Sequence, residues 1–316
     1  MEINSPNIQG LTTEIRTEFN KFLQVATPTS GPFVMNVPSK SGANFYPRLA
    51  EFPGMRKWVG SRVINRLKAG AFSVVNETYE NTLAIDRDDL EDDQFGIYKP
   101  VLAQLGKEAA IMPDKLAYGI INSGTTTKCM DGQYFFDADH TTYDENGKET
   151  SYSNNAIPQE GETAGPAWYL FKCDDPLKPI IYQNRRPFTI TPKTQLTDGN
   201  VFSEKEFVWG IDGRCAAGCG MYQFAYRSIR PLTVESLSDA IAAMALQRRV
   251  DGEPYGIQPT HLFVPSTLRR QANAVVKGGM VPVLAPDGKT WLPGSNPAED
   301  IVTPVVAPRL NGGNGA

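Results

Sequence analysis

The chain has 316 residues, 41% hydrophobic and 21% charged, enough to bury the core of one large or two ordinary domains, which excludes global disorder. With 31 basic against 35 acidic side chains the formal charge is −4, which argues against a dedicated nucleic-acid binder, since such proteins carry a basic face. Four cysteines (Cys129, Cys173, Cys215, Cys219) make no disulfide framework and fit a reducing cytosol; the polar start MEINSPNIQG lacks a signal-peptide pattern, and no apolar run approaches the roughly 20 residues of a membrane span.

Taken in chain order, residues 1–30 predict one amphipathic helix. Ser5 is placed to cap it and Pro6 suits its first turn, while Ile8, Leu11, Ile15, Phe19 and Phe22 recur at steps of three and four. Residues 45–86 predict a long hairpin, SRVINRL against AFSVVNETYENTLAI, rich in β-branched and aromatic residues yet carrying Arg62, Arg66, Lys68, Glu77 and Glu80. An isolated hairpin is marginal in water, so this one requires a partner surface in its own chain or in a neighbour.

Residues 88–122 predict a long interrupted helix. Asp88 or Asp89 would cap it, and kinks or restarts are expected at Pro100 and Pro113, with Gly96 and Met112 as joints. Five carboxylates (Asp88, Asp89, Glu91, Asp92, Asp93) crowd its start. There they face the positive end of the helix dipole, a simpler account than a cation site, which also wants a fixed loop with a glycine turn. Residues 123–165 read as a polar loop with little to bury. Strand character returns over 166–230. A helix follows at 233–249, capped by Thr233 and ending on Arg248 and Arg249, then the buried strand THLFVP and a helix capped by Ser266 and stopped by Gly278 and Gly279. The terminal NGGNGA is expected to be mobile.

Chemistry is sparse. Only His140 and His261 are present, and no nucleophile elbow accompanies either. The string DGQYFFDADH gathers Asp131, Asp137, Asp139 and His140, which leaves a metal-dependent hydrolase open as a second reading, although the spacing matches neither an EF-hand nor HExxH. Cys215 and Cys219 lack the second pair that a structural zinc site wants. The turn PDGKTW has Val283 where a phosphate-binding loop needs glycine. The expectation is therefore no catalytic residue, no cofactor and no metal ligand. Several elements look unable to stand alone, and their apolar faces are expected to be covered chiefly by other copies of the chain.

Six strings carry a resemblance that runs nearly end to end and in order: FPGMRKWVGSRVINRL, YENTLAIDRDDLEDDQFGIY, CMDGQYFFDADH, AWYLF with PLKPIIYQNRRPF, NVFSEKEFVWGIDGR with GCGMYQFAY, and YGIQPTHLFVPSTLRRQA. On them the chain resembles the Mu-like major head subunit family, coat proteins of tailed phages. Relatives tend to show a second proline where this chain has Ser266, and the acid-rich stretch 144–163 looks individual to it.

The resemblance implies an α+β, HK97-like capsid fold: an N-terminal arm (1–44), an extended hairpin or E-loop (45–87), a P-domain spine helix region (88–128), a loop-rich β region shared between P- and A-domains (129–232), and an A-domain-like helix-strand-helix region with a flexible tail (233–316). It implies self-assembly as hexamers and pentamers of an icosahedral shell around double-stranded DNA, without sequence-specific binding and without a membrane. Portal and scaffold or protease proteins would be assembly partners in the host cytoplasm. A phage accessory structural protein is the other alternative. At the subunit interface the expected residues are Arg56, Trp58, Arg62, Arg66, Phe72, Tyr79, Asp92 and Asp93: hairpin arginines against a neighbour's carboxylates, and aromatics supplying buried area.

Overall fold

A computed structural model describes residues 2–46, 72–92, 95–284, 289 and 291–311. Helix α1 (Ser5–Val25) starts one residue earlier than the serine cap predicts. Asn4 is its N-cap, the side-chain oxygen accepting from the Asn7 amide at 2.9 Å, and Pro6 lies in the first turn, where a missing N–H costs nothing. The chain then forms β1 (Val34–Pro38), β2 (Ala43–Tyr46), β3 (Phe72–Val75) and β4 (Glu77–Asp86). The described strands of the expected second arm pair elsewhere than with SRVINRL: β3 lies antiparallel to β2 and β4 antiparallel to residues 206–215, while SRVINRL and the turn KAG lie outside the described residues.

The 88–122 region resolves into α2 (Arg87–Glu91), α3 (Phe95–Ala110) and α4 (Met112–Asn122). Asp86, not Asp88 or Asp89, caps α2, accepting from the Asp88 amide at 2.7 Å. The restart at Met112 matches expectation, with Pro113 in the first turn of α4. Pro100 does not break α3: it falls early in a 16-residue helix, where packing on α1 outweighs one lost backbone bond.

The stretch read as a polar loop is partly folded. It contains β5 (His140–Tyr143), β6 (Glu149–Tyr152) and β7 (Asn155–Ala156), with β5 and β6 paired antiparallel across the turn at Asp144–Lys148. Composition hid this because the buried groups are polar: Asn154 is fully buried, its amide donating to the Phe135 carbonyl at 2.8 Å. Next come β8 (Trp168–Phe171), β9 (Ile180–Lys193), the unanticipated α5 (Gly199–Glu204), β10 (Glu206–Cys219) and β11 (Ala225–Ser228).

Helix α6 (Val234–Ala245) opens on the expected Thr233, which exchanges hydrogen bonds with Ser236 as a capping box. It ends before the arginines meant to close it. Arg248 instead donates to the Gly252 carbonyl and to Glu145, and Arg249 sits over the Tyr255 ring. After β12 (His261–Val264), a 3₁₀ turn leads into α7 (Arg269–Lys277). Ser266 does not cap by its own side chain; its amide is held by Asn311, 2.7 Å away, from the far end of the chain. A hairpin, β13 (Met280–Leu284) with β14 (Trp291–Ser295), and β15 (Thr303–Val306) complete the described elements, while NGGNGA lies beyond them apart from Asn311.

Two sheets organise these pieces. One has order β1-β9-β10-β4, the other β15-β12-β8-β11-β7. Helices α1 and α3 cover one face of the first through Ile8, Leu11, Ile15, Phe19 and Leu102 against Ile190, Phe207, Trp209 and Ile211. Farther along that face Ile180, Tyr182, Cys215 and Cys219 meet α4 (Tyr118, Ile121), Phe33, and the inner side of the second sheet (Tyr169, Phe171, Phe263). The outer side of the second sheet packs Trp168, Leu170 and Leu262 against α6 and α7. The apolar stripe of α1 is thus covered by its own chain, and β4 pairs with β10, which corrects the expectation that such faces are offered chiefly to other copies.

Two close approaches hold α1 and α4 in place. A Cβ at Gly106 of α3 would stand 2.6 Å from the Phe19 carbonyl oxygen, so only glycine lets the two helices meet there. Asp114 of α4, 5% exposed, accepts from the Thr29 amide and hydroxyl (2.9 and 3.0 Å) and the Ser30 amide (2.8 Å), tying α4 to the chain leaving α1. Gly106→Ala is expected to destabilise the unassembled chain by about 2 kcal/mol, read as a lowered urea midpoint at unchanged slope. Gly119→Ala, in α4 where nothing lies within 4 Å of the new Cβ, is expected to stabilise by roughly 0.5–1 kcal/mol through helix propensity. Equal shifts for both would contradict the packing.

Candidate functional site

The carboxylate-rich start of α2 proves to be a set of local ties. Asp86 caps; Arg87 pairs with Glu91 at 2.8 Å; Lys205 lies 3.6 Å from Asp88; the Tyr98 hydroxyl donates to Asp89 at 2.5 Å. Exposed pairs of this kind are worth about 0–1 kcal/mol each. Asp92 is exposed at the end of α2, its amide donating to the Asp88 carbonyl.

Of the expected interface residues, Arg56, Trp58, Arg62, Arg66 and Asp93 lie outside the described residues. Phe72 and Tyr79 are half-buried against their own chain, Phe72 beside the cluster of Tyr46, Val74, Ile181 and Ala216. The Tyr79 hydroxyl donates to Glu77 at 2.9 Å; burial first, then this bond, push its phenol above the ordinary value. Part of each ring is therefore already used inside the subunit.

The base of the hairpin is a built polar site that the sequence reading missed. Gln183 of β9 is fully buried. Its carbonyl accepts from the Tyr46 hydroxyl at 2.7 Å, and its amide donates to the Val74 carbonyl (3.1 Å) and Asn76 (3.0 Å). Asn76 in turn donates to the Ser39 hydroxyl at 2.8 Å and the Ser41 carbonyl at 3.0 Å. Beneath it, a Cβ on Gly218 would come within 2.3 Å of the Val74 side chain, so the glycine lets the β2–β3 pair lie flat on β9 and β10. The two chains entering and leaving residues 47–71 are thereby fixed to the first sheet. A lone glutamine inside a strand-like run gives no sequence signal for this.

The string DGQYFFDADH does not gather four ligands. Asp131 and His140 meet at 2.7 Å, but Asp137 instead accepts from the Tyr134 and Ala138 amides. Phe135 and Phe136 are fully buried and anchor the turn to the core. Cys129 joins Asp131, its thiol donating at 2.8 Å, and the His140 ring stacks on Tyr222 at 3.9 Å. Burial pushes the Asp131 carboxyl up, yet the bonds from His140, Cys129 and the Gln133 amide hold it below the ordinary range. His261 bonds to Thr260 at 2.9 Å and is held low by burial and Lys178. All four cysteines are free and buried. Among the described residues no helix is long and apolar enough to cross a membrane.

Comparison with known proteins places this architecture. The profile of the Mu-like prophage major head subunit gpT family matches residues 8–308. The chain belongs to that family.

Among its relatives, the major capsid protein of Escherichia phage Mu is 34% identical over 277 residues, covering 87% of this chain and 91% of that one. The Mu-like prophage FluMu major head subunit of Haemophilus influenzae is 37% identical over 243 residues, covering 76% and 79%. A chain from the procapsid of bacteriophage JBD30 superposes with a TM-score of 0.82 at 34% identity, over 97% of this chain and all of that one. The fold is accordingly the HK97-like capsid fold, in α+β form, and the protein is a major capsid protein of a Mu-like phage, a structural component and not an enzyme. The hydrolase reading has no support: its four residues are not brought together and the family is a structural one. The accessory-protein reading gives way to the head subunit itself.

For a head subunit the relevant surfaces are those left apolar. Phe202 on α5 is 86% exposed, and Phe45, Val75, Leu246 and Met280 are also largely exposed. None was singled out from sequence, because an apolar residue inside a helix or strand looks like core until the packing is known. Gln183→Leu is expected to remove the partner that Tyr46, Val74 and Asn76 share and to weaken the hairpin base by about 2 kcal/mol, a roughly thirtyfold larger open population. Hydrogen exchange at β2 and β3 amides would register it, with β12 amides unchanged as the internal control.

Proposed function

We propose that copies of this chain assemble, as hexamers and pentamers, into the icosahedral head shell of a Mu-like tailed phage or prophage. The shell encloses double-stranded DNA that it does not read. The observation that carries this is the end-to-end likeness to a chain of the JBD30 procapsid, at an identity of 34%. A net charge of −4 is consistent with a container whose wall holds DNA loosely, because each neutralised phosphate adds salt-sensitive affinity that would hinder filling and release.

In this reading residues 1–44 are the N-terminal arm, 45–87 the E-loop, and 88–128 the spine region of the P-domain. Residues 233–316 form the A-domain-like region and tail, and 129–232 is shared: β9 and β10 go with the arm and spine, β7, β8 and β11 with the A-domain. The E-loop reaches across a neighbouring copy. Arg56, Arg62 and Arg66 meet Asp92 and Asp93 there, while Trp58 and the free parts of Phe72 and Tyr79 bury area. Each surface ion pair is worth little, about 0–1 kcal/mol. Closed symmetry repeats the contact on every copy, so a weak patch meeting a different patch suffices to close a shell. Portal and scaffold or protease proteins join during assembly in the host cytoplasm.

Expression of the chain followed by negative-stain imaging is expected to give shells, capsomer rings or curved sheets. Uniform monomers under all assembly conditions would count against the reading. Reversing Arg62 and Arg66 together to glutamate is expected to leave a soluble chain with unchanged circular dichroism and no shells. Normal shells from that variant would remove the E-loop assignment.

A further inference from the structure

Within the cluster at the 128–140 turn, three ligand types converge: the Cys129 thiol, the Asp131 carboxylate and an Nδ1 of His140, all within 4.8 Å of one another. The turn is well built. The Cys129 amide donates to the Gln133 carbonyl at 2.8 Å, the Gln133 amide to Asp131 at 3.1 Å, and β5 brings His140, fully buried, against it. Each ring nitrogen of His140 faces an acceptor oxygen, Nδ1 the Asp131 carboxylate and Nε2 the Phe135 carbonyl. If Nδ1 carries the proton and donates to Asp131 at 2.7 Å, the lone pair of Nε2 faces the Phe135 carbonyl oxygen at 3.4 Å, acceptor against acceptor. Placing the proton on Nε2 satisfies Phe135 but sets the Nδ1 lone pair against a carboxylate oxygen. A second ring proton would satisfy both oxygens, and so would a cation held between Nδ1, the carboxylate and the sulfur. The cation leaves Nε2–H pointing at a backbone carbonyl, the usual outer partner of a metal-bound histidine, and the Gln133 amide on the ligating carboxylate.

We propose that Cys129, Asp131 and His140 hold a zinc ion that clips this turn to β5. Thiolate, imidazole and carboxylate together suit zinc, and one thiolate plus one carboxylate neutralise its two positive charges, as a buried site requires. Binding releases the thiol proton, and the imidazole takes its Nε2–H form. The fourth position belongs to water. Asp131 also lines a cavity of about 110 Å³, together with Tyr222 and Gln223, with room for ordered water. Gln223 is buried, and its side-chain oxygen has no hydrogen-bond partner among the described residues, which equips it to accept from that water. The role is structural, and it substitutes Cys129 for the Asp137 and Asp139 that the sequence alone grouped with His140.

The test is titration of the full-length chain with cobalt(II) alone, followed by zinc. The expected result is a thiolate-to-cobalt charge-transfer band in the near ultraviolet that saturates at a single equivalent and is bleached by zinc, with a higher thermal midpoint when zinc is present. Cys129→Ser keeps a hydrogen-bond donor to Asp131 and is expected to retain the fold by near-ultraviolet circular dichroism while losing the band. Absence of the band in the unaltered chain, which needs no variant to fold, would overturn the proposal. A band of full strength in Cys129→Ser would overturn it as well.

Discussion

The pairing of β9 with β10 is the constraint on which the rest of the subunit is indexed. Each is 14 residues long, and their antiparallel register runs from Val208 opposite Lys193 to Cys219 opposite Ile180. Along one face they carry first the residues that receive α1 and α3, then those that receive α4 and the second sheet; along the other, Ile181, Ala216 and Gly218 seat the hairpin base. Because side chains alternate with a period of two, a slip of one residue would turn every one of these contacts to the wrong side. The register shifts fall between Asp212 and Cys215, opposite Thr189 to Asn184. The extra residues lie in β9, where Pro187 is tolerated because a bulge does not need its N–H.

Buried polar groups then fix how the secondary elements sit on that pair. Asp114 binds α4 to the chain leaving α1, Gln183 binds the β2–β3 pair to the sheet, and Arg230 holds Glu162 in a two-pronged bond and Asp239 at 2.9 Å, joining a loop to α6. Each such group costs free energy to bury and is stable only with its partners in place. Apolar surface would allow several arrangements of comparable area, whereas these bonds allow one. For a head subunit, which must present the same outline in every copy, a single arrangement of α1, the β2–β3 pair and α4 matters more than additional stability.

Much of this was legible residue by residue. The stripe of α1, the strands AWYLF and THLFVP, the Thr233 cap and the restart at Pro113 follow from local rules, since periodicity and capping are set by a residue's near neighbours. The failures share a cause. Ser266 does not cap because its amide is held by Asn311, 45 residues away, in a 3₁₀ turn that sets the start of α7 beyond it; Pro100 does not break α3 because α1 packs against it; 140–156 is not loop because buried His140 and Asn154 find polar partners in the fold. The proposed interface residues were reached through family resemblance, with no local pattern to mark them, whereas the fully buried Gln183 and the exposed Phe202 went unremarked.

Chemistry of short range, then, is written along the chain: which segments are helix or strand, where most of them begin, that catalytic groups are scarce, and through long ordered strings the family itself. Tertiary structure decided which faces remain for neighbours and which are consumed within the subunit, and it picked Cys129 over two aspartates as the companion of Asp131 and His140. Those outcomes depend on distances between residues far apart in sequence, and such distances exist only once β9 and β10 have paired and the helices have settled on them.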